Sequence, residues 1–337
     1  MIDTQAGSDR LVETLLTAAA QLQIETGIAR ETIAQALFLG CGIPYRVLGL
    51  DQPVSTGASE QPSSAVPMTK RIGLIGAGTM SQGIARAALR AGLEVRIVTR
   101  DPRRSRAVQQ VIASQMDGPD TQLRAGITPD TFDGVDLIIE AISEDLDTKQ
   151  RVLAGMEDII PRDAVLATTT SSLAVHDIAS ALKNPNKLLG LHFFNPADRN
   201  PLVELVAAGS TEAQTARAVQ FCAQLDKHVI RVPDTPGFVV NRVLIPYLNR
   251  VFTLAADDAR LRDIDLDVRR RYRMPVGPAR LSGIIGADVV LAIQSTLFDR
   301  LAASNLKPAA TLEALVRRGV LGSKTGHIFP AALTVGD

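Results

Sequence analysis

One segment constrains the fold of this chain more than any other, the run from Arg71 to Asp101, RIGLIGAGTMSQGIARAALRAGLEVRIVTRD. An apolar strand leads into Gly76-Ala77-Gly78, a helical pattern begins at once, and a second strand pattern ends near Thr99. Gly76 permits a tight turn, and Gly78 lets another group approach the backbone. The free N–H groups at the helix start can then bind a phosphate. The segment therefore predicts the first βαβ unit of a dinucleotide-binding domain.

The rest of the chain after Lys70 continues this alternation of short apolar strands and amphipathic helices. The predicted strands are 71–76, 93–99, 135–142, 164–170 and 187–193, and the predicted helices are 79–91, 103–116, 146–158 and 173–183. Such alternation indicates right-handed βαβ units and an α/β fold, a Rossmann-type doubly wound parallel sheet. After Thr235-Pro236 the pattern is helix upon helix, which predicts an all-helical C-terminal domain.

The chain thus divides into four parts by composition. These are a helical N-terminal segment (1–51), a flexible linker rich in Pro, Ser and Gly (52–69), the dinucleotide-binding Rossmann domain (70–234) and the helical domain (235–337). Residues 11–50 align without a gap to residues 242–281, an offset of 231 that places Pro44 opposite Pro275. We interpret the N-terminal segment as a half-repeat of the C-terminal domain.

Composition excludes several other classes of protein. Lys+Arg and Asp+Glu are both 36, so no electrostatic feature favours nucleic acid or an anionic membrane as a partner. Cys41 and Cys222 are far apart and lack metal-ligand spacing, so we expect reduced thiols and no metal. No apolar run reaches the length of a membrane span, and the N-terminus lacks the pattern of a signal peptide. A cytoplasmic location is therefore expected.

The residues that end the second predicted strand bear on the choice of cofactor. An acid about 20 residues after the Gly turn normally binds the ribose 2′-OH, but this chain has Thr99, followed by Arg100 and Arg104. A neutral hydroxyl and guanidinium groups suit a 2′-phosphate, so NAD(P)(H) is expected, with NADP(H) favoured over NAD(H). The alternative is that the arginines only form a solvated helix start. The expected cofactor contacts in this unit are Gly76, Gly78, Thr79, Met80, Thr99, Arg100 and Arg104.

A second set of polar residues lies in or after apolar strands. His192 occurs in LLGLHFFNP, Glu204 in LVELV, and a cluster of hydroxyls forms TTTSSL (168–173). Imidazole titrates near neutral pH and suits proton transfer to or from a secondary alcohol. Taken alone, a histidine on an apolar strand is more often a core residue.

These segments, with PVGPARLSGIIGAD (275–288) and GVLGSKTGHIF (319–329), resemble the 3-hydroxyacyl-CoA dehydrogenase family over nearly all of residues 70–330. The resemblance implies a His–Glu pair for proton transfer, with a serine and an asparagine that hold the substrate oxygen. Carried over by motif, these four residues are His192, Glu204, Ser171 and Asn241. Glu144 and Lys149, in ISEDLDTK, match family residues that contact the dinucleotide.

The resemblance further implies a reversible oxidation of 3-hydroxyacyl thioesters and a homodimer formed through the helical domain. The region between the second and third strands is shorter than in the family, so the acyl group could be carried by coenzyme A or by acyl carrier protein. The polar segment PADRNPLV replaces an apolar run, and Thr169 replaces an asparagine. We expect residues 9–50 to pack against the C-terminal helices in place of a partner subunit, or beside one. Two other functions stay open, a dehydrogenase of a free hydroxy acid and a catalytically silent dinucleotide-binding scaffold.

Overall fold

The computed structural model describes residues 4–51, 59–116, 122–254, 258–327 and 329. The chain forms two compact units, one of residues Thr56–Asp234 and one that joins Met1–Ser55 to Thr235–Asp337. The first unit contains the sheet, and the second is helical.

Among the described residues, the sheet unit has nine strands and five α-helices. The strands are β1 (Ser59–Glu60), β2 (Arg71–Ile75), β3 (Glu94–Val98), β4 (Leu123–Gly126), β5 (Leu137–Glu140), β6 (Val165–Thr168), β7 (Leu188–Phe193), β8 (Leu202–Val206) and β9 (His228–Arg231). The helices are α3 (Thr79–Arg90), α4 (Pro102–Ala113), α5 (Leu146–Met156), α6 (Val175–Ala179) and α7 (Glu212–Gln224). Buried aliphatic side chains of the central strands, such as Leu74, Ile97 and Ile139, form its core with α3 and α7.

The strands form one sheet in the order β1-β9-β8-β7-β6-β5-β2-β3-β4. Strands β4, β3, β2, β5, β6 and β7 are parallel to one another, as the βαβ pattern predicts. Strand β8 is antiparallel to β7, and β1 is antiparallel to β9. The fold is therefore a Rossmann-type sheet with a mixed extension beyond β7. The short strands β1, β4 and β9 were not predicted.

The expectation of a flexible linker over 52–69 is wrong for its C-terminal part. Ser59 and Glu60 pair with Ile230 and Val229 of β9, because the edge of β9 offers backbone groups that an extended chain can satisfy. Farther along, the Thr69 N–H donates to Gln224 in α7. Residues 52–58 lie outside the described residues.

The helical unit contains α1 (Thr4–Thr26), α2 (Arg30–Cys41), α8 (Val240–Leu254), α9 (Asp258–Tyr272), α10 (Pro278–Ile285), α11 (Ala287–Leu301) and α12 (Ala310–Arg317). Helix α1 packs along α8 and also contacts α9. Contacts between residues that are far apart in the chain hold these helices together. The Tyr272 hydroxyl donates to Asp9 at 2.6 Å, and Arg242 pairs with Glu25 at 2.5 Å.

Two helices of this unit end at positions that are separated by the offset found in the sequence. Helix α2 ends at Cys41 and α9 ends at Tyr272, 231 residues further on. The next residue in each case, Gly42 or Arg273, has a left-handed backbone, with φ of 74° and 51°. A left-handed residue commonly ends a helix. A helix therefore ends three residues before Pro44 and three residues before Pro275.

Two further features bear on function. Within the described ranges, no single helix is long and apolar enough to cross a bilayer; α10 and α11, which meet at a 95° bend, pass on length and composition only as a pair. The described part of the chain also contains no group of three or more His, Cys, Asp or Glu side chains placed to hold a metal ion.

Candidate active site

The turn between β2 and α3 is built around two glycines with different roles. Gly76 has a φ of +116°, and a Cβ there would lie 2.5 Å from the carbonyl oxygen of Ala141. Only glycine fits this position without strain. Gly78 has no heavy atom within 4 Å of the place a Cβ would take, so the space beside it is open. Gly78 directly precedes the free N–H groups at the start of α3, where an anion can bind.

A cavity of about 740 Å³ lies over this turn. All seven residues predicted as cofactor contacts in the first βαβ unit line it, namely Gly76, Gly78, Thr79, Met80, Thr99, Arg100 and Arg104. The sequence interpretation missed the opposite wall, which Thr148, Val152 and Met156 of α5 supply. Their spacing of four residues on one helix face was the available signal. The volume and the open backbone at Gly78 fit a dinucleotide.

The end of β3 determines which groups could meet the ribose. Thr99 is buried, and its hydroxyl donates to the carbonyl oxygen of Asp101 at 2.8 Å and lies 2.8 Å from the Ser105 hydroxyl. Its hydroxyl is therefore engaged within the loop. Arg100 and Arg104 are exposed, and the Arg104 Nε lies 3.5 Å from the Asp101 carboxylate. The two guanidinium groups are the parts of this loop that could contact a phosphate.

His192 and Glu204 face each other across β7 and β8. They are direct partners in the antiparallel register, so their side chains share one face of the sheet. The His192 Nδ1 lies 2.7 Å from the Glu204 Oε2, and the two residues are 4% and 0% exposed. His192 is the penultimate residue of β7, at the carboxyl end of the parallel part of the sheet. Ligands bind at this edge in open α/β sheets.

A buried ion pair lies beneath the cavity. The Lys149 Nζ is 2.7 Å from the Glu140 Oε1, and both side chains are at most 1% exposed. The Thr168 hydroxyl donates to the other Glu140 oxygen at 2.6 Å. Lys149, predicted to contact the dinucleotide, belongs to this network and is not among the residues that line the cavity. Glu140 was not singled out from the sequence, although an acid inside an apolar strand was a signal.

Glu144 lies between this ion pair and the hydroxyl cluster. Its Oε2 is 3.5 Å from the Lys149 Nζ, and its Oε1 accepts hydrogen bonds from the turn that contains Ser171. Burial alone would raise the pKa of Glu144. The Lys149 charge and hydrogen bonds from Thr170, Ser171 and Ser172 outweigh burial, and the pKa lies below its usual value. Glu144 does not line the cavity either.

Asn241, the fourth residue implied by the resemblance, belongs to the helical unit. It lies in the first turn of α8 and is 7% exposed. The Gly237 that precedes it has a φ of +76° and accepts a hydrogen bond from the Arg242 N–H, which fixes the start of the helix.

A glycine-turn cavity and a buried histidine–carboxylate pair on one Rossmann-type sheet are typical of a class, the nicotinamide dinucleotide-dependent dehydrogenases. Comparison with known proteins gives the family. Residues 71–235 match the family model "3-hydroxyacyl-CoA dehydrogenase, NAD binding domain", and residues 237–331 match "3-hydroxyacyl-CoA dehydrogenase, C-terminal domain". The chain belongs to the 3-hydroxyacyl-CoA dehydrogenase family.

Individual relatives agree with this assignment. A 3-hydroxybutyryl-CoA dehydrogenase of Mycobacterium tuberculosis is 36% identical over 280 residues, which cover 77% of this chain and 97% of the relative. The crystal structure of FadB2 from M. tuberculosis superimposes with a TM-score of 0.72 at 33% identity, covering 77% of this chain and 98% of that one. A fatty acid oxidation complex subunit alpha of Colwellia psychrerythraea is 30% identical over 95% of this chain and 47% of its own.

Proposed function

We propose that this chain interconverts 3-hydroxyacyl and 3-oxoacyl thioesters with a nicotinamide cofactor. The observation that carries the proposal is the buried contact of 2.7 Å between His192 and Glu204 at the carboxyl end of the sheet. Such a pair suits acid–base chemistry on a secondary alcohol. Family membership supplies the reaction class, and the printed names of the relatives supply the thioester.

In the proposed mechanism Glu204 accepts a hydrogen bond from the His192 Nδ1–H. This bond fixes the tautomer and leaves Nε2 to exchange a proton with the 3-oxygen of the substrate. In the oxidative direction Nε2 takes the hydroxyl proton, the carbonyl forms, and the hydrogen on C3 leaves with its electron pair. The bound nicotinamide supplies the acceptor for that hydride, or its donor in the reverse direction. Glu204 then stabilises the imidazolium that results.

Ser171 and Asn241 are proposed to hold the 3-oxygen, on the resemblance alone. The carrier of the acyl group is proposed to be coenzyme A or acyl carrier protein. The relatives named as 3-hydroxybutyryl-CoA dehydrogenases favour coenzyme A. The reduced length between β3 and β5 keeps the carrier protein as an alternative.

For the cofactor we propose that NADP(H) is preferred over NAD(H). The support is the lack of an acid at position 99 and the exposed guanidinium groups of Arg100 and Arg104 beside the cavity. The Thr99 hydroxyl makes hydrogen bonds with Asp101 and Ser105, so the proposed preference for NADP(H) depends on the two arginines. A titration of NADP⁺ and NAD⁺ against wild type and Arg100→Ala/Arg104→Ala tests it. The double substitution should remove the preference and leave NAD⁺ affinity nearly unchanged; equal affinities in wild type would refute it.

The reaction is tested by mixing the protein with NADPH or NADH and acetoacetyl-CoA and following the loss of absorbance of the reduced cofactor. Acetoacetate replaces the thioester in a parallel reaction. Turnover of the thioester supports the proposal, whereas turnover of acetoacetate alone favours a dehydrogenase of a free acid. No turnover with either compound, together with tight cofactor binding, would favour the silent scaffold.

Two substitutions test the proton-transfer pair. We expect His192→Gln to lower kcat by about 10²–10⁴-fold, the usual contribution of a positioned acid or base, with little change in cofactor affinity. Glu204→Gln should lower kcat because the amide no longer stabilises the imidazolium. A His192→Gln protein that kept full kcat would exclude the mechanism.

Two further proposals concern the chain as a whole. Residues 9–50 are proposed to act as a half-repeat of the C-terminal domain and to pack on α8 and α9 in place of a partner subunit, or beside one. The homodimer through the helical domain remains the alternative. A cytoplasmic location is proposed, with Cys41 and Cys222 as free thiols in support. Cell fractionation with an antibody to the native protein would test the location.

A further inference from the structure

One carboxylate oxygen accepts hydrogen bonds from three consecutive residues of the turn that carries Ser171. The Glu144 Oε1 accepts hydrogen bonds from the backbone N–H groups of Ser171 and Ser172, at 2.7 and 2.9 Å. It also accepts bonds from the Thr170, Ser171 and Ser172 hydroxyls, at 2.8, 3.1 and 3.1 Å. Thus three consecutive residues that leave β6 fold around a single atom of Glu144.

This arrangement requires a charged acceptor. Two adjacent N–H groups and three hydroxyls point at one oxygen, and charge-assisted bonds are roughly twice as strong as neutral ones. The second oxygen of Glu144 faces the Lys149 ammonium at 3.5 Å, and Glu140 holds that ammonium from the other side. Lys149 is 1% exposed, so its position is fixed by the two carboxylates. The chain Glu140–Lys149–Glu144 therefore links β5 and α5 to the Ser171 turn.

The hydrogen bond from the Ser171 hydroxyl to Glu144 bears on the direction of the hydroxyl hydrogen. When that hydrogen points to Glu144, the Ser171 oxygen can accept a hydrogen bond from a 3-hydroxyl group. To donate to a 3-oxo group, the hydroxyl has to rotate away from Glu144. The same carboxylate therefore fixes the backbone of the turn and biases the hydroxyl that meets the substrate oxygen.

We propose that Glu144 is a positioning residue for Ser171, acting on the 3-oxygen of the substrate through this turn, and is not primarily a contact of the dinucleotide. The inference rests on the proposed function, because it takes Ser171 as a substrate contact. This role differs from the dinucleotide contact that the family resemblance implies for Glu144, and the hydrogen bonds from the Ser171 turn to its Oε1 support it.

The test compares Glu144→Gln with Asp145→Asn in the full chain. Asp145 is the next residue, and its exposed carboxylate caps α5 by accepting the Thr148 N–H. Because asparagine caps a helix as well as aspartate, this control removes a neighbouring negative charge without touching the Ser171 turn. Each protein is assayed for thermal stability, for cofactor dissociation constant by fluorescence, and for kcat and KM with acetoacetyl-CoA.

We expect Glu144→Gln to lower kcat/KM for the thioester by about 10–100-fold, the effect of losing a charge-assisted hydrogen bond in the reacting complex. The cofactor dissociation constant should stay within about twofold of wild type, since a change of that size is under half a kcal/mol. Asp145→Asn should leave all parameters unchanged. A Glu144→Gln protein whose only defect is weaker cofactor binding would show a dinucleotide contact and overturn the proposal.

A double-mutant cycle with Ser171→Ala separates positioning from general damage. If Glu144 acts through Ser171, adding Glu144→Gln to Ser171→Ala should cost much less than it costs in wild type. Full additivity of the two effects overturns the proposal. Failure of the proposed function looks different, because wild type itself would then fail to turn over the thioester.

Discussion

Asp198 lies in the loop between β7 and β8, within the polar segment PADRNPLV. Its carboxylate binds Arg86 at 3.2 Å and Arg90 at 3.0 Å, and the side chain is 6% exposed. Both arginines belong to α3, the helix that starts at the Gly turn. Gly83 of the same helix has no room for a Cβ without crowding Ala197. The polar segment therefore holds the loop that follows β7 against α3.

The charge of Asp198 leads to a prediction about pH. Burial would raise the pKa of Asp198, but the hydrogen bonds from Arg86 and Arg90 lower it to about 2. Because the pKa in the folded state is depressed, the stabilisation is present above pH 4 and is lost as the pH falls toward 2. Asp198→Asn should lower the free energy of unfolding at pH 7 by about 2 kcal/mol, the value of such a shift.

Denaturant unfolding at pH 7 and pH 3 checks this prediction. The difference between wild type and Asp198→Asn should shrink at the lower pH. Asp226→Asn is the matched control, because Asp226 is exposed and has a φ of 55°, a conformation that asparagine tolerates. An equal difference at both pH values would show that the charge of Asp198 does not supply the stabilisation.

At the scale of elements, the β2–α3 turn allows structure and ligand binding to be tested separately. Gly76→Ala places a Cβ 2.5 Å from the Ala141 carbonyl oxygen in a backbone that alanine avoids, so we expect a lower melting temperature. Gly78→Ala meets nothing within 4 Å and has a φ of −75°, so the melting temperature should hardly change.

Cofactor affinity is the second property to be measured on Gly76→Ala and Gly78→Ala. If the pyrophosphate passes over Gly78, the added methyl group should weaken NADP⁺ and NAD⁺ binding at least tenfold, although the apoprotein stays as stable as wild type. Calorimetric titration and thermal melts of the two variants provide both values. A Gly78→Ala protein with unchanged affinity would place the phosphates elsewhere in the cavity.

The elements of the sheet unit could be predicted where the sequence pattern is strong. Strands β2, β5, β6 and β7 are mostly apolar and buried on both faces, and β3 alternates buried with partly exposed residues; both patterns are conspicuous in the sequence. Strand β4 (LRAG) has four residues with a single fully buried one, and β1 has two residues that pair only because the edge of β9 is open. Nothing local in the sequence predicts either strand.

The candidate site shows the same limit. The glycines and arginines near the β2–α3 turn could be proposed as site residues from the sequence, because the strand–turn–helix pattern that indicates them is local. The roles of Lys149 and Glu144 depend on what faces them across 9 and 27 residues, and spacing alone does not give such pairs. The sequence suggested a cofactor contact for both residues, and the structure adds their contacts with Glu140 and with the Ser171 turn.

At the scale of the whole molecule, the N-terminal segment is the feature that distinguishes this chain from its shorter relatives. The M. tuberculosis relative is matched over 97% of its own length by 77% of this chain, so the family fold is complete without that segment. Here α1 and α2 contact α8, and α1 also contacts α9. When one copy of a repeat packs on another, each covers the face that a second molecule could otherwise use.

A mutation in the buried face of α1 tests whether the N-terminal helices take the place of a partner subunit. Leu15 is fully buried and Leu16, the next residue, is 37% exposed. Leu15→Asp places an unpaired charge in the packed face, which costs several kcal/mol, and should release α1 from the other helices. We expect wild type and Leu16→Asp to be monomers by light scattering, and Leu15→Asp to form dimers through the uncovered α8 and α9 as its concentration rises. Far-UV circular dichroism establishes that Leu15→Asp remains folded. A wild-type dimer, or a folded Leu15→Asp protein that stays monomeric at every concentration, would show that the N-terminal helices do not take the place of a partner subunit.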